Sequence, residues 1–365
     1  MGEIHLVPGH EITRETVQEA DSVVVRSITR VDETLLSGTR ISFIGTATAG
    51  IDHLDTAFLS DSGIVWANAP GANAESVVEY VLAAMSVIAN RNTVSLARKK
   101  LGIIGCGQTG ERLALRAERI GMRVLRNDPP RAEREGNEGF HSLRHVLAHS
   151  DMVSVHVPLT TSGPHTTHHL VDAAGISLMK PGAWLIQTSR GGTVDESAAV
   201  SARRNGRLGA LILDVFEGEP EPRTESISVA DIATGHIAGY SRDAKRNGAL
   251  MIRDAMCRHL GIEPRTASDV EFKGSALRPP VDSYGLSSGA NDSAWMDGLL
   301  RQVVDIRGDD QRFRTVMREN DGRSHAFHTY RATYPARYSW SRYQAPWSTE
   351  SDRHLLEALG LGARS

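Results

Sequence analysis

The chain has 365 residues, enough for two or three domains, and its 40% hydrophobic and 23% charged residues are ordinary for a globular protein. A net charge of -3 excludes the overall basic excess of a nucleic-acid binder, and no apolar run reaches the roughly 18 residues that a membrane helix needs. Only two cysteines are present, Cys106 and Cys257, without a C-x-x-C spacing, which argues for a reducing compartment and against a disulfide or zinc framework.

Met1-Gly-Glu-Ile-His lacks the basic and apolar regions of a secretion signal, so a cytoplasmic protein is expected. Short apolar runs then alternate with helical stretches as far as about residue 262. Strands are predicted at residues 5–7, 22–25, 41–44 and 64–66. An amphipathic helix over 75–89 follows, with Val77, Val78, Val81, Leu82, Met85 and Ile88 on its apolar side. A second strand series is predicted at 101–104, 124–125, 152–155, 184–186, 211–213 and 232–234. This alternation predicts an α/β protein with parallel sheets covered on both faces. Two series predict two doubly wound, Rossmann-like domains sharing a cleft: a substrate domain at 1–70, rejoined by 241–262, and a dinucleotide domain at 71–240.

The stretch Leu101-Gly-Ile-Ile-Gly105-Cys-Gly107-Gln-Thr-Gly110 places a G-x-G-x-x-G turn between a predicted strand and a helical segment. In that segment Leu113, Ala117 and Ile120 recur on one side, while Glu111, Arg112, Arg116, Glu118 and Arg119 would face water. Gly105 serves the tight turn, Gly107 lets the backbone approach a pyrophosphate at the helix N-terminus, and Gly110 lets helix and strand pack closely. Gln108 and Thr109, inside the turn, join the cofactor set. The following strand ends at Asp128, 18 residues past Gly110, where an acid accepts hydrogen bonds from a ribose diol. A carboxylate there favours NAD over NADP, although Arg126 and Arg131 stand close by.

Polar residues follow the predicted strands at the edge where doubly wound sheets bind ligands. Arg26 and Ser27 follow 22–25; Thr46 and Thr48 follow 41–44; Thr188-Ser189-Arg190 follows 184–186. Asp214 follows 211–213 and leads to Glu219-Pro220, and His236 follows 232–234. Oxidising a 2-hydroxy acid requires a base for the hydroxyl proton, a carboxylate to hold that base, and a guanidinium fork for the substrate carboxylate. His236, Glu219 and Arg190 are the candidates for these three roles. The run His165-Thr-Thr-His168-His169 reads as a solvated loop and not a metal centre, because no cysteine or carboxylate cluster accompanies it.

From about residue 263 the character changes: Pro264 and 278–280 punctuate the chain, and 287–293 reads as a loop. Beyond it lie Tyr330, Tyr334, Tyr338, Trp340, Tyr343 and Trp347 among many arginines. Residues 263–365 are read as a separate module. With Asp305, Asp309, Asp310 and Glu319 interspersed, its aromatic and basic content points to a protein–protein interface over nucleic acid.

Taken together these residues resemble the D-isomer-specific 2-hydroxyacid dehydrogenases. That family carries the glycine fingerprint, an arginine in an R-G segment, a glutamate in a D-V-(F/W)-x-x-E-P segment and a histidine in an H-I-(A/G) segment. Here they are Arg190-Gly191, Asp214-Val-Phe-Glu-Gly-Glu219-Pro220 and His236-Ile-Ala238. Val25-Arg-Ser-Ile-Thr29, Gly45-Thr-Ala-Thr-Ala-Gly50, Asp52-His53 and Asp128-Pro-Pro-Arg131 extend the match, and Val304-Asp-Ile-Arg307 matches more weakly. The resemblance implies Arg190, Glu219 and His236 as the catalytic set, with His236 the acid/base. It implies Asp128, Val157, Thr188, Ser189, Asp214 and Gly239 beside NAD, and Arg26, Ser27, Thr48 and Tyr240 beside the substrate. The implied reaction is oxidation of a phosphorylated 2-hydroxy acid, 4-phospho-D-erythronate, in pyridoxine (vitamin B6) biosynthesis. The implied assembly is a homodimer formed through a C-terminal α+β domain, with no nucleic acid or membrane partner. The alternatives are a phosphoglycerate- or glycerate-type dehydrogenase and a catalytically impaired, NADH-binding dimeric scaffold.

Four departures from the family pattern stand out. The family has a further strand and helix ahead of the segment matching Glu3, so a central strand of the substrate-domain sheet is expected to be missing. Gln187 stands for Asn, and Val157 for Thr near the cofactor. Gly235 stands for Pro and is expected to loosen the loop before His236.

Overall fold

Apolar runs bounded by polar turns become the strands of two parallel sheets in the structure, a computed structural model that describes residues 3–264, 292–319, 322–347 and 349–364. In chain order the first elements are α1 (Arg14–Val17), β1 (Ser22–Val25), α2 (Glu33–Leu36), β2 (Phe43–Thr46), α3 (Thr56–Asp61) and β3 (Val65–Ala67). The middle of the chain forms α4 (Ala74–Arg91), β4 (Lys100–Ile104), α5 (Gln108–Arg119), β5 (Arg123–Asn127), α6 (Pro129–Glu135), α7 (Leu143–His149) and β6 (Met152–Val155). It continues with α8 (Ala173–Leu178), β7 (Ala183–Gln187), α9 (Glu196–Arg204), β8 (Leu208–Leu213), α10 (Thr224–Val229), β9 (Ile232–Ala233) and α11 (Arg242–His259). Last come α12 (Asp292–Leu300), α13 (Ile306–Glu319), α14 (Arg323–Ala332), β10 (Gln344–Pro346), α15 (Glu350–Leu359) and β11 (Gly362–Arg364). Two compact units result: Met1–Asn73 with Ser241–Ser275, and Ala74–Tyr240 with Ala276–Ser365. Among the described residues no helix is long and apolar enough to cross a membrane.

In the first unit, β2 lies between β1 and β3, all parallel. Val23, Val25, Ile44, Leu36 and Leu59 form its core. Helix α11 covers the sheet closely: a Cβ on Gly248 would meet the Ala47 carbonyl at 2.7 Å. The strand predicted at 5–7 does not form. Ile4 and Leu6 are 83% and 93% exposed, and no ladder partner reaches them, so local β propensity has nothing to pair with. The strand predicted at 41–44 forms two residues later, because Ser22 of β1 pairs with Phe43.

The second unit is built on a six-stranded parallel sheet in the order β5-β4-β6-β7-β8-β9. From β4 the chain adds β5 on one side and then β6 on the other, so the strand order reverses there. The loops leaving β4, β6, β7, β8 and β9 share the sheet's carboxyl edge, and the reversal marks the crevice that such sheets offer a ligand.

Helix α4 departs from the amphipathic reading. Nearly its whole circumference is buried, including Ser76, Glu79 and Ser86. One face meets α5, and α12 and α13 cover another. Glu79 bonds to the C-terminal region, its Oε1 accepting the Ser339 hydroxyl at 2.7 Å and the Trp340 N–H at 2.7 Å. The described part of the C-terminal segment therefore shares one apolar core with the dinucleotide fold, through Leu300, Phe313, Phe327, Tyr330, Trp340 and Leu356. Of the aromatic run, Tyr330 and Trp340 are buried in this core, while Tyr334, Tyr338, Tyr343 and Trp347 are half-buried. Strands β10 and β11 pair in parallel, giving this segment an α+β character. Residues 278–280 and 287–291 of the punctuated stretch lie outside the described residues, and Ser293, read as loop, belongs to α12.

Burial of α4 on more than one face makes it sensitive to truncation. Leu82→Ala is expected to cost about 2–5 kcal/mol, read as a lower urea midpoint at unchanged slope. An unshifted midpoint would contradict the packing described.

Candidate active site

The glycine turn after β4 is shaped by sterics. Gly105 holds φ +87°, and a Cβ there would sit 2.8 Å from the His156 carbonyl. A Cβ on Gly110 would overlap the Gly105 carbonyl oxygen, so α5 packs directly on the turn. On Gly107 a Cβ would meet nothing within 4 Å, which leaves that side of the turn open. Gly107 is also the N-cap of α5 and supplies no side-chain cap, so the first N–H groups of the helix are left for another acceptor. Across the sheet edge, the Thr188 hydroxyl is buried without a hydrogen-bond partner. An open glycine cradle, an uncapped helix start and an unmatched hydroxyl are what a pyrophosphate-containing cofactor would fill. Val157 borders the same turn: a Cβ on Gly105 would meet its Cγ1 at 2.8 Å.

Asp128 directly follows β5, as the N-cap of α6, with a structural task as well. Its Oδ2 accepts the Cys106 N–H at 2.8 Å and its Oδ1 the Arg131 N–H at 3.0 Å, which ties the glycine turn to α6. The two arginines nearby are held by acids. Arg126 pairs with Glu118 at 2.7 Å and Glu111 at 3.5 Å, and Arg131 with Glu111 and Glu135, each at 2.8 Å. Their charge is answered within the protein, so Asp128 sets the local preference against a 2′-phosphate. Burial, with the charges of Asp128 and Glu111, pushes the Cys106 thiol up to about 12, leaving it a neutral filler of the turn.

The turn after β7 is organised by Gln187. Its Nε2 donates to the Arg190 carbonyl at 2.9 Å and to Thr193 Oγ1 at 2.6 Å, and its Oε1 accepts from Ser189 Oγ at 2.9 Å. The side chain spans the turn that presents Thr188, Ser189 and Arg190. A Cβ on Gly191 would overlap the Phe216 carbonyl, so this turn lies directly against the loop that carries Glu219.

His236 and Glu219 meet: Nδ1 and Oε2 are 2.7 Å apart, and Glu219 Oε1 accepts the Phe216 N–H at 2.9 Å. A carboxylate accepts, so Nδ1 supplies the hydrogen of this bond, which leaves Nε2 as the lone-pair nitrogen whenever the ring is neutral. Burial opposes ionisation of Glu219, yet the charge and hydrogen bond of His236 and the Phe216 N–H outweigh it, holding Glu219 below the ordinary range. The backbone at His236 is left-handed, φ +56°, and Asp214 holds it there. The Asp214 carbonyl accepts the His236 N–H at 2.6 Å. Its fully buried carboxylate accepts from Thr234 Oγ1 at 2.7 Å, Ile237 N–H at 2.8 Å and Ala238 N–H at 2.9 Å. The structure thus places Asp214 beneath the His236 loop, not at an open surface; Gly239, at the end of that loop, is half-buried.

Gly235 does not loosen this loop. A Cβ there would meet Phe313 at 2.7 Å and Tyr330 at 2.8 Å, so glycine admits the aromatic cover that the C-terminal segment lays on the loop. Arg337 donates to the Ala238 carbonyl at 2.7 Å, and Asp310 accepts the Ala233 N–H at 2.7 Å. Tyr240 packs edge-on to Tyr334. These braces went unseen in the sequence because nothing local marks contacts between residues so far apart in the chain.

In the first unit, Arg26 and Ser27 are exposed after β1, and Thr48 is half-buried after β2. Thr46 Oγ1 lies 2.8 Å from Thr48 Oγ1 and 2.9 Å from His53 Nε2, while Thr48 donates to the Gly50 carbonyl at 2.8 Å. Burial, then the charges of Arg26 and Arg242, lower the Lys245 pKa. In the His165–His169 run, His165 faces Glu133 and His169 faces Glu217.

A family model described as the NAD binding domain of D-isomer specific 2-hydroxyacid dehydrogenases matches residues 82–238, and one described only as a domain of unknown function matches 278–360. The chain is 42% identical to an erythronate-4-phosphate dehydrogenase of Salinibacter ruber over 361 residues, 97% of this chain and 91% of the relative. It is 38% identical to that of Proteus mirabilis over 363 residues, 100% of this chain and 94% of the relative. Among solved structures, a D-lactate dehydrogenase from Aquifex aeolicus complexed with NAD and lactic acid superposes with TM-score 0.58 at 29% identity, covering 69% of this chain and 86% of that one.

One titration follows from the loop after β6. Burial lowers His156 from 6.5 to about 4, with Nε2 2.8 Å from the Ser154 hydroxyl. The unfolded chain binds this proton below about 6.5 and the folded one only near 4, so its stabilising effect is complete above 6.5 and lost as pH falls towards 4. The loss is on the order of 2–3 kcal/mol. Urea midpoints between pH 7 and pH 4.5 are expected to fall less for His156→Asn than for the wild type, and parallel curves would contradict a neutral imidazole.

Proposed function

The chain belongs to the D-isomer-specific 2-hydroxyacid dehydrogenase family, and from that premise we propose that it oxidises 4-phospho-D-erythronate at C2, giving 3-hydroxy-2-oxo-4-phosphobutanoate, with NAD as cofactor. In this reading the chain acts in pyridoxine biosynthesis, works in the cytoplasm, and pairs with a second copy through its C-terminal segment.

The observation that carries the reading is the His236–Glu219 hydrogen bond, at the carboxyl edge of the sheet that also bears the glycine turn. Gly105, Gly107, Gln108, Thr109 and Gly110 would hold the cofactor's pyrophosphate, and Asp128 its ribose. Val157, Thr188, Ser189 and Gly239 would line it, and Asp214 would act by fixing the loop beside it. Bound there, NAD supplies the hydride acceptor. His236 Nε2 takes the hydroxyl proton as the C2–H bond breaks and the C2=O bond forms. Glu219 keeps Nδ1 protonated and stabilises the imidazolium that results. Arg190, projecting from the turn braced by Gln187, orients the substrate carboxylate and the C2 oxygen. Arg26, Ser27, Thr48 and Tyr240 are assigned to the substrate.

The test is NADH formation from 4-phospho-D-erythronate by the purified chain, side by side with D-3-phosphoglycerate and D-glycerate. Preference for either of the latter would transfer the chain to another branch of the family. His236→Asn is expected to lower kcat by about 10²–10⁴-fold while leaving NADH affinity nearly unchanged. Undiminished turnover in that variant would remove His236 from the base role.

A further inference from the structure

The C-terminal segment carries many arginines, and most are spent within the fold. Arg312 pairs with Asp309, Arg314 pairs with Asp310, and Arg337 donates to the Ser76 and Ala238 carbonyls. Arg331, in the last turn of α14, is different. Its guanidinium carbon lies 5.3 Å from the Tyr240 ring centroid and 5.8 Å from that of Phe327. Its Nε is buried and has no hydrogen-bond partner, a feature it shares with Arg312 and Arg337. Among the described residues no carboxylate forms an ion pair with it. Its charge is nevertheless felt at Glu219, the carboxylate that holds His236.

A half-buried guanidinium with an unused donor is unfavourable until an acceptor reaches it. The cation–π contacts with Tyr240 and Phe327 hold the guanidinium beside these rings. If Arg190 takes the carboxylate attached to C2, the dianionic phosphate can take a second guanidinium in addition to that of Arg26, which is assigned to the substrate above. A phosphate suits a planar donor fork.

We propose that Arg331, supplied by the C-terminal segment, is a further substrate-binding residue that receives the phosphate of the phosphorylated 2-hydroxy acid. This rests on the reaction proposed above and assigns the C-terminal segment a direct part in specificity. The Tyr240 ring positions Arg331, and Arg331 in turn discriminates phosphorylated from unphosphorylated substrate.

Arg331→Met and Arg331→Lys test it in the full-length protein. With 4-phospho-D-erythronate, Arg331→Met is expected to raise KM by about tenfold or more with kcat little changed, as for loss of a charge-assisted hydrogen bond. With unphosphorylated D-erythronate, kcat/KM is expected to stay within about twofold, and Arg331→Lys to recover most of the phosphate preference. Equal losses on both acids, or no loss on either, overturn the role. A binding measurement runs alongside: calorimetric affinity of 4-phospho-D-erythronate for the chain saturated with NADH, expected to weaken by about tenfold in Arg331→Met. Equal affinity of wild type and variant overturns Arg331 as the phosphate residue even where turnover is absent. Wild-type binding lost in Arg331→Met, but without NADH formation, supports Arg331 and overturns the proposed reaction. A wild-type chain that neither binds nor turns over this acid overturns both.

Discussion

One buried carboxylate carries much of the arrangement at the sheet edge. Asp214 sits at the end of β8 with its side chain wholly inside the protein, where an ion without partners would be far too costly. It is satisfied by three donors from a single neighbouring loop, Thr234 Oγ1 and the N–H groups of Ile237 and Ala238. Those bonds close the loop into the left-handed turn at His236. Burial raises the Asp214 pKa, and the charge of His236 with the loop's donors opposes that rise. The same loop sets His236 against Glu219, so the backbone that neutralises one acid positions the imidazole for the other.

The C-terminal segment closes the other side of that loop. Glycine at 235 lets Phe313 and Tyr330 come closer than any side chain would permit, and Arg337 and Asp310 bond to its flanks. The same segment covers α4, whose buried Glu79 receives the Ser339 hydroxyl and the Trp340 N–H. Loop geometry and core stability are therefore coupled through one set of aromatic residues. A chain in which the residue before the histidine is proline would need a different cover at this place.

Much of the dinucleotide fold was legible because its signals are local. A glycine that must adopt positive φ, a helix starting directly after it and an acid ending the next strand lie within a short stretch, and each is dictated by backbone sterics. Strand positions in the second unit follow the apolar runs within a few residues for the same reason. Residues 5–7 show the opposite case: an apolar run with strand character stays unpaired, because a strand exists only where a neighbour supplies hydrogen bonds. The aromatic run is divided for a related reason: Tyr330 and Trp340 are core residues, and because Tyr and Trp are enriched both in interfaces and in cores, composition alone cannot assign each one.

By itself the sequence determined the parallel α/β architecture and the glycine turn with Asp128, and it singled out Arg190, Glu219 and His236 as candidates, because periodicity, steric need and motif order are properties of the chain. Only the tertiary structure decided that Asp214 is a buried anchor, that Gln187 spans the 188–193 turn, that Gly235 is a packing requirement and that Arg331 lies over Tyr240. Each of these depends on which distant segments come into contact. Contact of that kind follows from how apolar faces are buried against one another, and no local pattern of residues encodes it.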